Sequence, residues 1–561
     1  DASWEMLRSV RAARELCAPA ITDKKSSRSS GNIRFITTFF FREQYWPKIL
    51  KMPICALICV YSKMHKIRHS FQTVHNLTNL EDLPYAHKMP ARRHIANFVV
   101  MAKSKSSLGD VRLVQPFTEL VNAMSEKMTP VLRRLGEGRK GEVSFGRLIN
   151  NPKVTPVGLV KQYWLNNEVD WSGKHLLVIE DGSKMSFELR KDRPKLGYMG
   201  ESEKIGGFAV HNAVIYDAQD LSCYGLGAAD AFVTERLDAE EKRLRRKDQW
   251  KTPFEEKDRY KWFSTAKQAI ENCSGASAYT VVGDRESDIY DLFARLKKQG
   301  WGFVIRCCAM GRKVCSTEGS STLCEVIDSW EVAHSYDLEL SATRKRSKHT
   351  GRMHLKFGQV ELLHPSSHPD KSLPEKISVS VIQVKEDTGT VPSGEEPVHW
   401  LLLTSHEVQS IEQAIQIVQW YCERWNIEQT YRTIKLQGLD VEHSEVHNQH
   451  ALQNLSVLCL IAATVVMQLV RARTEQSKLS MECAFTPQEI ECIEKLNPTL
   501  QGNTLKQKNP YTKGSMAFAA WVIARLGGWS GYARGRPPGP ITMTNGLVRF
   551  YAIAVGFNLR L

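Results

Sequence analysis

The chain has 561 residues, of which 42% are hydrophobic and 24% are charged. These fractions exclude a disordered or fibrous chain, and the length predicts roughly three to five domains. Lys and Arg exceed Asp and Glu by 76 − 61 = 15, a balance that favours a polyanionic partner. Residues 1–100 alone carry 16 basic and 7 acidic side chains, a net charge of +9, so the total charge is weak support for nucleic acid.

The cysteines and the apolar runs indicate the cellular compartment. The 13 cysteines are scattered without a Cys-x-x-Cys pair, which is typical of reduced thiols in a cytosol and not of disulfides or structural zinc. No apolar run reaches the length of a membrane span, and the segment Val457–Val470 predicts a buried core helix. We therefore expect a soluble, cytoplasmic protein without a membrane partner.

The hydrophobic period changes several times along the chain. Residues 1–100 show no sustained period, and Met101 fits an initiator, so we expect 1–100 to be an extension outside the functional fold; the alternative is an accessory basic arm. The five segments that follow are helical residues 101–165, alternating strands and helices in 166–300, strand-rich 301–405, long helices in 406–475, and 476–561 with the helix MAFAAWVIARLGG.

The segment WYCERWNIEQTYRTIK carries an unusual combination of polar side chains. If it forms one helix, Tyr421, Arg424, Glu428 and Lys435 fall within an arc of about 60° at 100° per residue. Such a stripe can be a solvated helix face with favourable Glu–Arg pairing. It can also be one wall of a site that holds charged groups.

Two aspartates follow apolar runs that predict buried strands. Asp181 comes after Leu176–Ile179 and Asp284 comes after AYTVVG, and residues at the carboxyl ends of such strands face the crevice where open α/β sheets bind ligands. The structural alternatives are a turn residue and a helix cap. Glu180 and Asp288 compete with them, and only one of Glu180 and Asp181 can face a given side of a strand.

Three carboxylates held together would repel one another unless a cation lies among them. Oxygen ligands suit Mg²⁺ or Mn²⁺, and two such ions about 4 Å apart can activate a water or a 3′-hydroxyl against a phosphodiester. Asp181, Asp284 and Glu428 are therefore our candidate ligands. The spacing by itself predicts only a metal-dependent phosphodiester site.

The spacing Tyr-x2-Arg-x3-Glu-x6-Lys resembles the YREK signature of bacterial DDE transposases of the IS-four family. The segments HLLVIEDGS and VVGDRESDIYDLF resemble the family's first and second aspartate segments. The family commonly has Asp-Thr-Thr in the first segment, whereas this chain has Asp181-Gly182-Ser183. The resemblance covers the chain from about Met101 to its C-terminus.

The resemblance implies an α/β fold: an RNase H-like mixed sheet with helices on both faces and a β-rich insertion at 301–405. It implies a helical DNA-end-binding domain before the sheet, a catalytic core in 166–300 and 406–475, and a dimerisation region at 476–561. Asp181, Asp284 and Glu428 would be catalytic and would bind two Mg²⁺ ions, with Mn²⁺ able to substitute. The residues that would contact DNA are Trp400, through a flipped base, and Tyr421, Arg424, Arg432, Lys435 and Arg285.

The implied function is cut-and-paste DNA transposition in a bacterial cytoplasm, at the nucleoid. The protein would bind terminal inverted repeats of double-stranded DNA, cleave the ends through a hairpin, and join the 3′-hydroxyls to target DNA as a homodimer that cuts in trans. Two alternatives stay open. One is a decayed or domesticated copy that binds DNA without cutting, and the other is an RNase H-like nuclease without strand transfer.

Overall fold

The structure is a computed structural model, and it describes most of the chain after residue 105. The described residues are 106–558 except for 168, 190–195, 200–203, 234–239, 242, 245–251, 317–318, 344, 437, 474–476 and 533–536. The expectation that residues 1–100 are an extension lies outside the described residues.

One mixed sheet of twelve strands runs through the described part of the chain. The strands are β1 (His175–Glu188), β2 (Gly197–Tyr198), β3 (Ile205–Asp217), β4 (Cys223–Phe232), β5 (Ala278–Gly283), β6 (Gly302–Arg306), β7 (Lys313–Ser316), β8 (Gly319–Thr322), β9 (His334–Leu340), β10 (His349–Leu363), β11 (Lys376–Glu386) and β12 (His399–Thr404). The mixed α/β architecture expected from the sequence is confirmed.

The strand order is β2-β3-β1-β5-β6-β12-β11-β10-β7-β8, with β4 beside β3 and β9 beside β10. Neighbours β1, β5 and β6 are parallel, and the other pairs are antiparallel. The strand-rich stretch 301–405 thus continues the same sheet through the pairing of β6 with β12.

Helices precede, interrupt and follow the strands. They are α1 (Val114–Lys127), α2 (Leu132–Leu135), α3 (Arg139–Asn150), α4 (Pro156–Asn166), α5 (Lys261–Asn272), α6 (Tyr290–Lys298), α7 (Leu323–Asp328), α8 (Ile411–Cys422), α9 (Trp425–Lys435), α10 (Gln449–Ala472), α11 (Pro487–Leu500), α12 (Met516–Leu526) and α13 (Pro540–Asn558). Helix α12 ends at Leu526 and Gly527 follows as its C-cap, as its sequence predicts. Helix α13 was not expected, although Pro540 at its first position is a helix-start signal.

Helices cover both faces of the sheet around β1. The ring of Trp262 on α5 lies 4.5 Å from that of His211 on β3, and His211 is the register partner of Gly182. Arg424, just before α9, bonds the neighbouring Asp181. Since successive residues of a strand face opposite ways, α5 and α9 lie on opposite faces.

Helix α10 is the long central helix. Its length and composition would suffice to span a membrane, but its apolar window is entirely buried inside the protein. Asn454 on α10 donates to the carbonyls of Ile149 and Val154 at 3.0 Å, so the helix ties the N-terminal helices to the sheet. The prediction of a buried core helix over Val457–Val470 is confirmed.

Two expectations about single elements were wrong. The segment from Tyr421 to Lys435 is not one helix, because α8 ends at Cys422 and α9 begins at Trp425. The turn between them is held by buried Glu423, which accepts from Asn426 at 2.7 Å and pairs with Arg471 of α10 at 3.1 Å. Strand β1 also differs from the expectation, because it continues past Asp181 to Glu188.

Candidate active site

The register of the parallel strands brings Asp181 and Asp284 to the same level of the sheet. Ile179 of β1 pairs with Val282 of β5, and each aspartate lies two residues further on. Asp181 was expected at the end of its strand, which is wrong: β1 continues to Glu188 because its antiparallel partner β3 follows it that far. Only the parallel pairing with β5 ends before Asp181, which leaves that side of β1 open.

Arg424 joins Asp181 to Glu428. Its Nη1 lies 2.6 Å from Asp181 Oδ2, and its Nη2 lies 2.6 Å from Glu428 Oε1. The Arg424 side chain is 14% exposed, against 22% for Asp181 and 35% for Glu428. One guanidinium group therefore holds a strand carboxylate and a helix carboxylate together at the edge of the interior.

Tyr421 connects the third carboxylate to the same group. Its hydroxyl donates to Asp284 Oδ1 at 3.3 Å, and burial, reinforced by Asp284, raises the pKa of Tyr421 to about 12. Asp284 precedes a short 3-10 turn, but its side chain makes no capping hydrogen bond there. The helix-cap alternative for Asp284 is therefore wrong in this structure.

The electrostatics of Asp181 reflect the crowding of negative charge. Burial raises its pKa to about 6, while Arg424 and the backbone N–H of Gly182 act in the opposite direction. The carboxylates of Glu428 and Asp284 both raise this pKa further. Asp181 thus lies close enough to feel both other carboxylates, and Arg424 acts against them.

The two competing carboxylates have other partners. Glu180 is fully buried on the opposite face of β1, where its Oε2 lies 2.9 Å from His211 Nε2, and burial raises its pKa well above the usual value. Asp288 accepts from the backbone N–H groups of Cys308 and Ala309 at 2.8 and 3.0 Å. Both are therefore structural, and neither contributes to the group around Arg424.

His211 limits the space beside Gly182. A Cβ at Gly182 would lie 3.3 Å from His211 Nδ1, which is tighter than an ordinary van der Waals contact. A side chain at position 182 therefore requires His211 to shift. Sequence spacing gives no sign of this contact, because the two residues meet only through the pairing of β1 with β3.

Trp400 lies next to Tyr421 but is buried. It is 6% exposed on β12, its ring meets that of Tyr421 edge to face at 5.3 Å, and the Arg306 guanidinium lies 5.9 Å above it. The described conformation thus places Trp400 beside the site as a packed strand residue. Arg306 was not singled out from the sequence.

Lys435 is engaged with protein groups. Its amine donates to the carbonyl of Lys184 and lies 3.5 Å from Glu442 Oε1, and Glu442 also accepts from the backbone N–H of Ser186 at 2.8 Å. Arg432 and Arg285 are exposed. The structure therefore brings Tyr421, Arg424 and the three carboxylates together. The other predicted DNA contacts differ in their placement: a buried Trp400, a Lys435 paired with Glu442, and the exposed Arg432 and Arg285.

Tyr431 is a further residue that the sequence did not suggest. It is buried on α9, and its hydroxyl donates to the carbonyls of Asp181 and Val210 at 3.3 and 3.0 Å. This contact fixes the strand at Asp181 against the helix that carries Glu428. The only sequence signal is its place three residues after Glu428, on the same side of a helix.

The donor set suits a divalent cation. Within the described residues, no group of three His, Cys, Asp or Glu side chains has the arrangement of a metal site. However, Arg424 already acts as a stand-in cation between Asp181 and Glu428 at 2.6 Å from each, and carboxylate oxygens are the ligands that Mg²⁺ prefers. The chemistry of these donors therefore suits a divalent cation, although their present spacing is set by the guanidinium.

One family of known proteins matches part of this chain. Residues 264–465 match the family model of the transposase DDE domain. The match supports a DDE transposase. It spans Asp284, Glu428 and the residues between them, whereas Asp181 precedes it. DDE transposases generally use divalent metal ions and act on DNA.

Among solved structures, the chain is similar to a piggyBac transposase in a synaptic complex with hairpin DNA, determined by cryo-EM. The identity is 10%, the similarity covers 71% of this chain and 72% of that chain, and the TM-score is 0.30. A TM-score this low does not establish a shared fold.

Proposed function

We propose that the protein is a cut-and-paste DNA transposase of the IS-four family with an RNase H-like catalytic core. Its substrate would be the terminal inverted repeats of a mobile element, and its second substrate a target DNA duplex. The main support is the meeting of Asp181, Asp284 and Glu428 around the cationic side chain of Arg424, within a chain that matches the transposase DDE domain.

Asp181, Asp284 and Glu428 would hold two Mg²⁺ ions, or Mn²⁺ in their place. When bound, these ions would supply activation of the attacking oxygen and stabilisation of the leaving oxygen of a phosphodiester. The three carboxylates would bind the ions and orient them, while Tyr431 fixes the strand at Asp181 against α9. Tyr421 holds Asp284 in place through its hydroxyl.

Arg424 would exchange its carboxylates for a DNA phosphate. A guanidinium binds phosphate oxygens through two parallel N–H bonds as readily as it binds carboxylate oxygens. Phosphate binding would therefore move positive charge away from Asp181 and Glu428 while the metal ions replace it. The Arg424 side chain would thus pair with the carboxylates before DNA binds and with a DNA phosphate afterwards.

The remaining DNA contacts surround this centre. Arg432 and Arg285 are exposed and would contact the backbone, and Lys435 would exchange Glu442 for a phosphate. Trp400 would stack on a base flipped from the element end, which requires it to move from its edge-to-face contact with Tyr421.

The order of steps follows from the family resemblance. The transferred strand would be cut by hydrolysis, its 3′-hydroxyl would attack the opposite strand to form a hairpin, and a second hydrolysis would free the end for attack on target DNA. Residues 101–165 would bind the ends, and 476–561 would pair two subunits that cut in trans. The protein would act in the cytoplasm, at the bacterial nucleoid.

Cleavage of a labelled repeat end tests this proposal. The full chain is incubated with a duplex that carries the inverted repeat found beside its coding sequence, with Mg²⁺ and with chelator. We expect nicking at the repeat boundary followed by a hairpin, only with Mg²⁺. Glu428→Gln should abolish nicking and leave end binding intact, and Glu412→Gln on exposed α8 surface is the matched control. Nicking by Glu428→Gln at the wild-type rate would overturn the assignment.

A second candidate is a copy that binds DNA but no longer cuts. End binding without nicking in either Mg²⁺ or Mn²⁺ would select this candidate. Nicking without strand transfer to a target duplex would instead select an RNase H-like nuclease.

A further inference from the structure

Asn212 is a buried amide without hydrogen-bond partners in the described part of the chain. It lies on β3 with no exposed surface, and neither its Oδ1 nor its Nδ2 has a partner. Its neighbours on the same face of the strand, Val210 and Val214, are apolar. An unpaired buried polar group costs about 1–3 kcal/mol, so an apolar residue here would be the more stable choice.

The register places this amide directly beside Asp181. Asn212 and Asp181 are cross-strand partners in the antiparallel pairing of β3 with β1, and the side chains of such partners lie on the same face with Cβ atoms about 4.5–5.5 Å apart. Tyr431, which bonds the Asp181 carbonyl, comes from the helix that covers this face. Asn212 thus lies on the face of the sheet that carries the site, beside Asp181.

A carboxamide beside Asp181 can bind a water molecule that also contacts the Asp181 carboxylate. Asp181 Oδ2 accepts from Arg424 and Oδ1 accepts from the N–H of Gly182. The amide of Asn212 donates to neither oxygen in the described part of the chain. A water molecule between these side chains could donate one hydrogen to Asn212 Oδ1 and the other to the Asp181 carboxylate. Its oxygen would remain available to a cation held by that carboxylate, and the amide oxygen of Asn212 would be paired.

We propose that Asn212 is a positioning residue that holds a water molecule against Asp181 and thereby orders the hydration of a divalent cation there. The inference rests on the proposed function, since it assumes that Asp181 binds the cation. Asn212 touches neither DNA nor the cation and acts through the water alone. Groups that orient the ligands of a metal ion in this way typically change its affinity by about 10–100-fold.

Replacing Asn212 by an apolar residue should lower the affinity for a divalent cation without lowering the stability of the protein. Asn212→Leu removes the unpaired amide, so the full chain should be at least as stable as wild type while its affinity for Mn²⁺, measured by electron paramagnetic resonance of the free ion, falls on the order of tenfold. Asn212→Asp keeps an oxygen in place, so it should retain Mn²⁺ affinity although it adds a buried charge. A purely structural amide predicts wild-type affinity in every variant that folds.

Controls separate failure of this inference from failure of the proposed function. Asn122→Leu removes a buried amide on α1, whose Oδ1 also lacks a partner among the described residues, and should leave Mn²⁺ affinity unchanged. Asp181→Asn should lose Mn²⁺ binding. Loss in Asp181→Asn with wild-type affinity in Asn212→Leu would overturn only the role of Asn212. If Asn212→Leu does not fold, loss of Mn²⁺ affinity in Asn212→Asp would overturn the role of Asn212. A wild-type protein that binds no Mn²⁺ would overturn both this role and the proposed function.

Discussion

Replacing Arg424 by Gln should destabilise the protein in the absence of divalent cations and increase its response to them. The substitution removes the guanidinium that lies 2.6 Å from both Asp181 and Glu428 and leaves two carboxylates facing each other near a third. Unit charges about 4 Å apart attract by about 4 kcal/mol at an effective dielectric constant near 20. Much of that attraction is offset by the cost of desolvating the guanidinium.

The net effect follows from the burial of the three side chains. Removing one partner of a fully buried ion pair costs about 3–5 kcal/mol, but Asp181 and Glu428 keep 22% and 35% of their side-chain surface exposed. We therefore expect a loss of about 2–3 kcal/mol in the free energy of unfolding. For a chain of 561 residues, the entropy of unfolding gives about 1 °C per kcal/mol, so the melting temperature should fall by roughly 2–3 °C.

Thermal unfolding with and without saturating Mg²⁺ measures both effects. In wild type, Mg²⁺ must displace Arg424, whereas in Arg424→Gln it meets free carboxylates, so the rise in melting temperature with Mg²⁺ should be larger in the variant. Arg112→Gln is the control, because Arg112 also pairs with an aspartate at 2.6 Å but is 86% exposed; it should change neither quantity. Equal Mg²⁺ responses in wild type and Arg424→Gln would refute the exchange of guanidinium for cation.

Three further substitutions test other parts of the structure. Burial raises the pKa of Glu489 from 4.5 to about 7, so its carboxyl lowers the free energy of unfolding as pH rises from 4.5 through 7. The free energy of unfolding of Glu489→Gln should therefore exceed that of wild type by up to about 3 kcal/mol at pH 8 and by nothing at pH 4. Equal gains at both pH values in urea unfolding would contradict this. Trp400→Ala should cost about 3–5 kcal/mol in urea unfolding because the ring is buried; a cost under about 1 kcal/mol would exclude the packed ring. Lys435→Ala should reduce the salt slope of DNA-end binding by about one, and an unchanged slope would remove Lys435 from the DNA.

The sequence predicted which side chains lie together better than it predicted how they are arranged. Alternation within a strand separates Asp181 from Glu180, and the structure confirms that they face opposite sides. The spacing from Arg424 to Glu428 is one helical turn, which agrees with their contact. These relations are local, so residue spacing is enough to predict them.

The remaining features depend on partners that are distant in the chain. The break between α8 and α9 is fixed by the pairing of Glu423 with Arg471, and the length of β1 by its pairing with β3. The bridge from Arg424 to Asp181 joins residues 243 positions apart. Period and spacing report only on neighbours, so such contacts could not be predicted from the sequence.

The central claim is that Asp181, Asp284 and Glu428 bind one group of divalent cations. Fe²⁺ can replace Mg²⁺ in oxygen-ligand sites, and with ascorbate and peroxide it cuts the polypeptide where it is bound. Fragments of the full chain, mapped by mass spectrometry, should end near positions 181, 284 and 428, and Mg²⁺ should suppress all three cuts. Cuts at other positions, or cuts near 181 and 284 that persist unchanged in Glu428→Gln, would contradict the account.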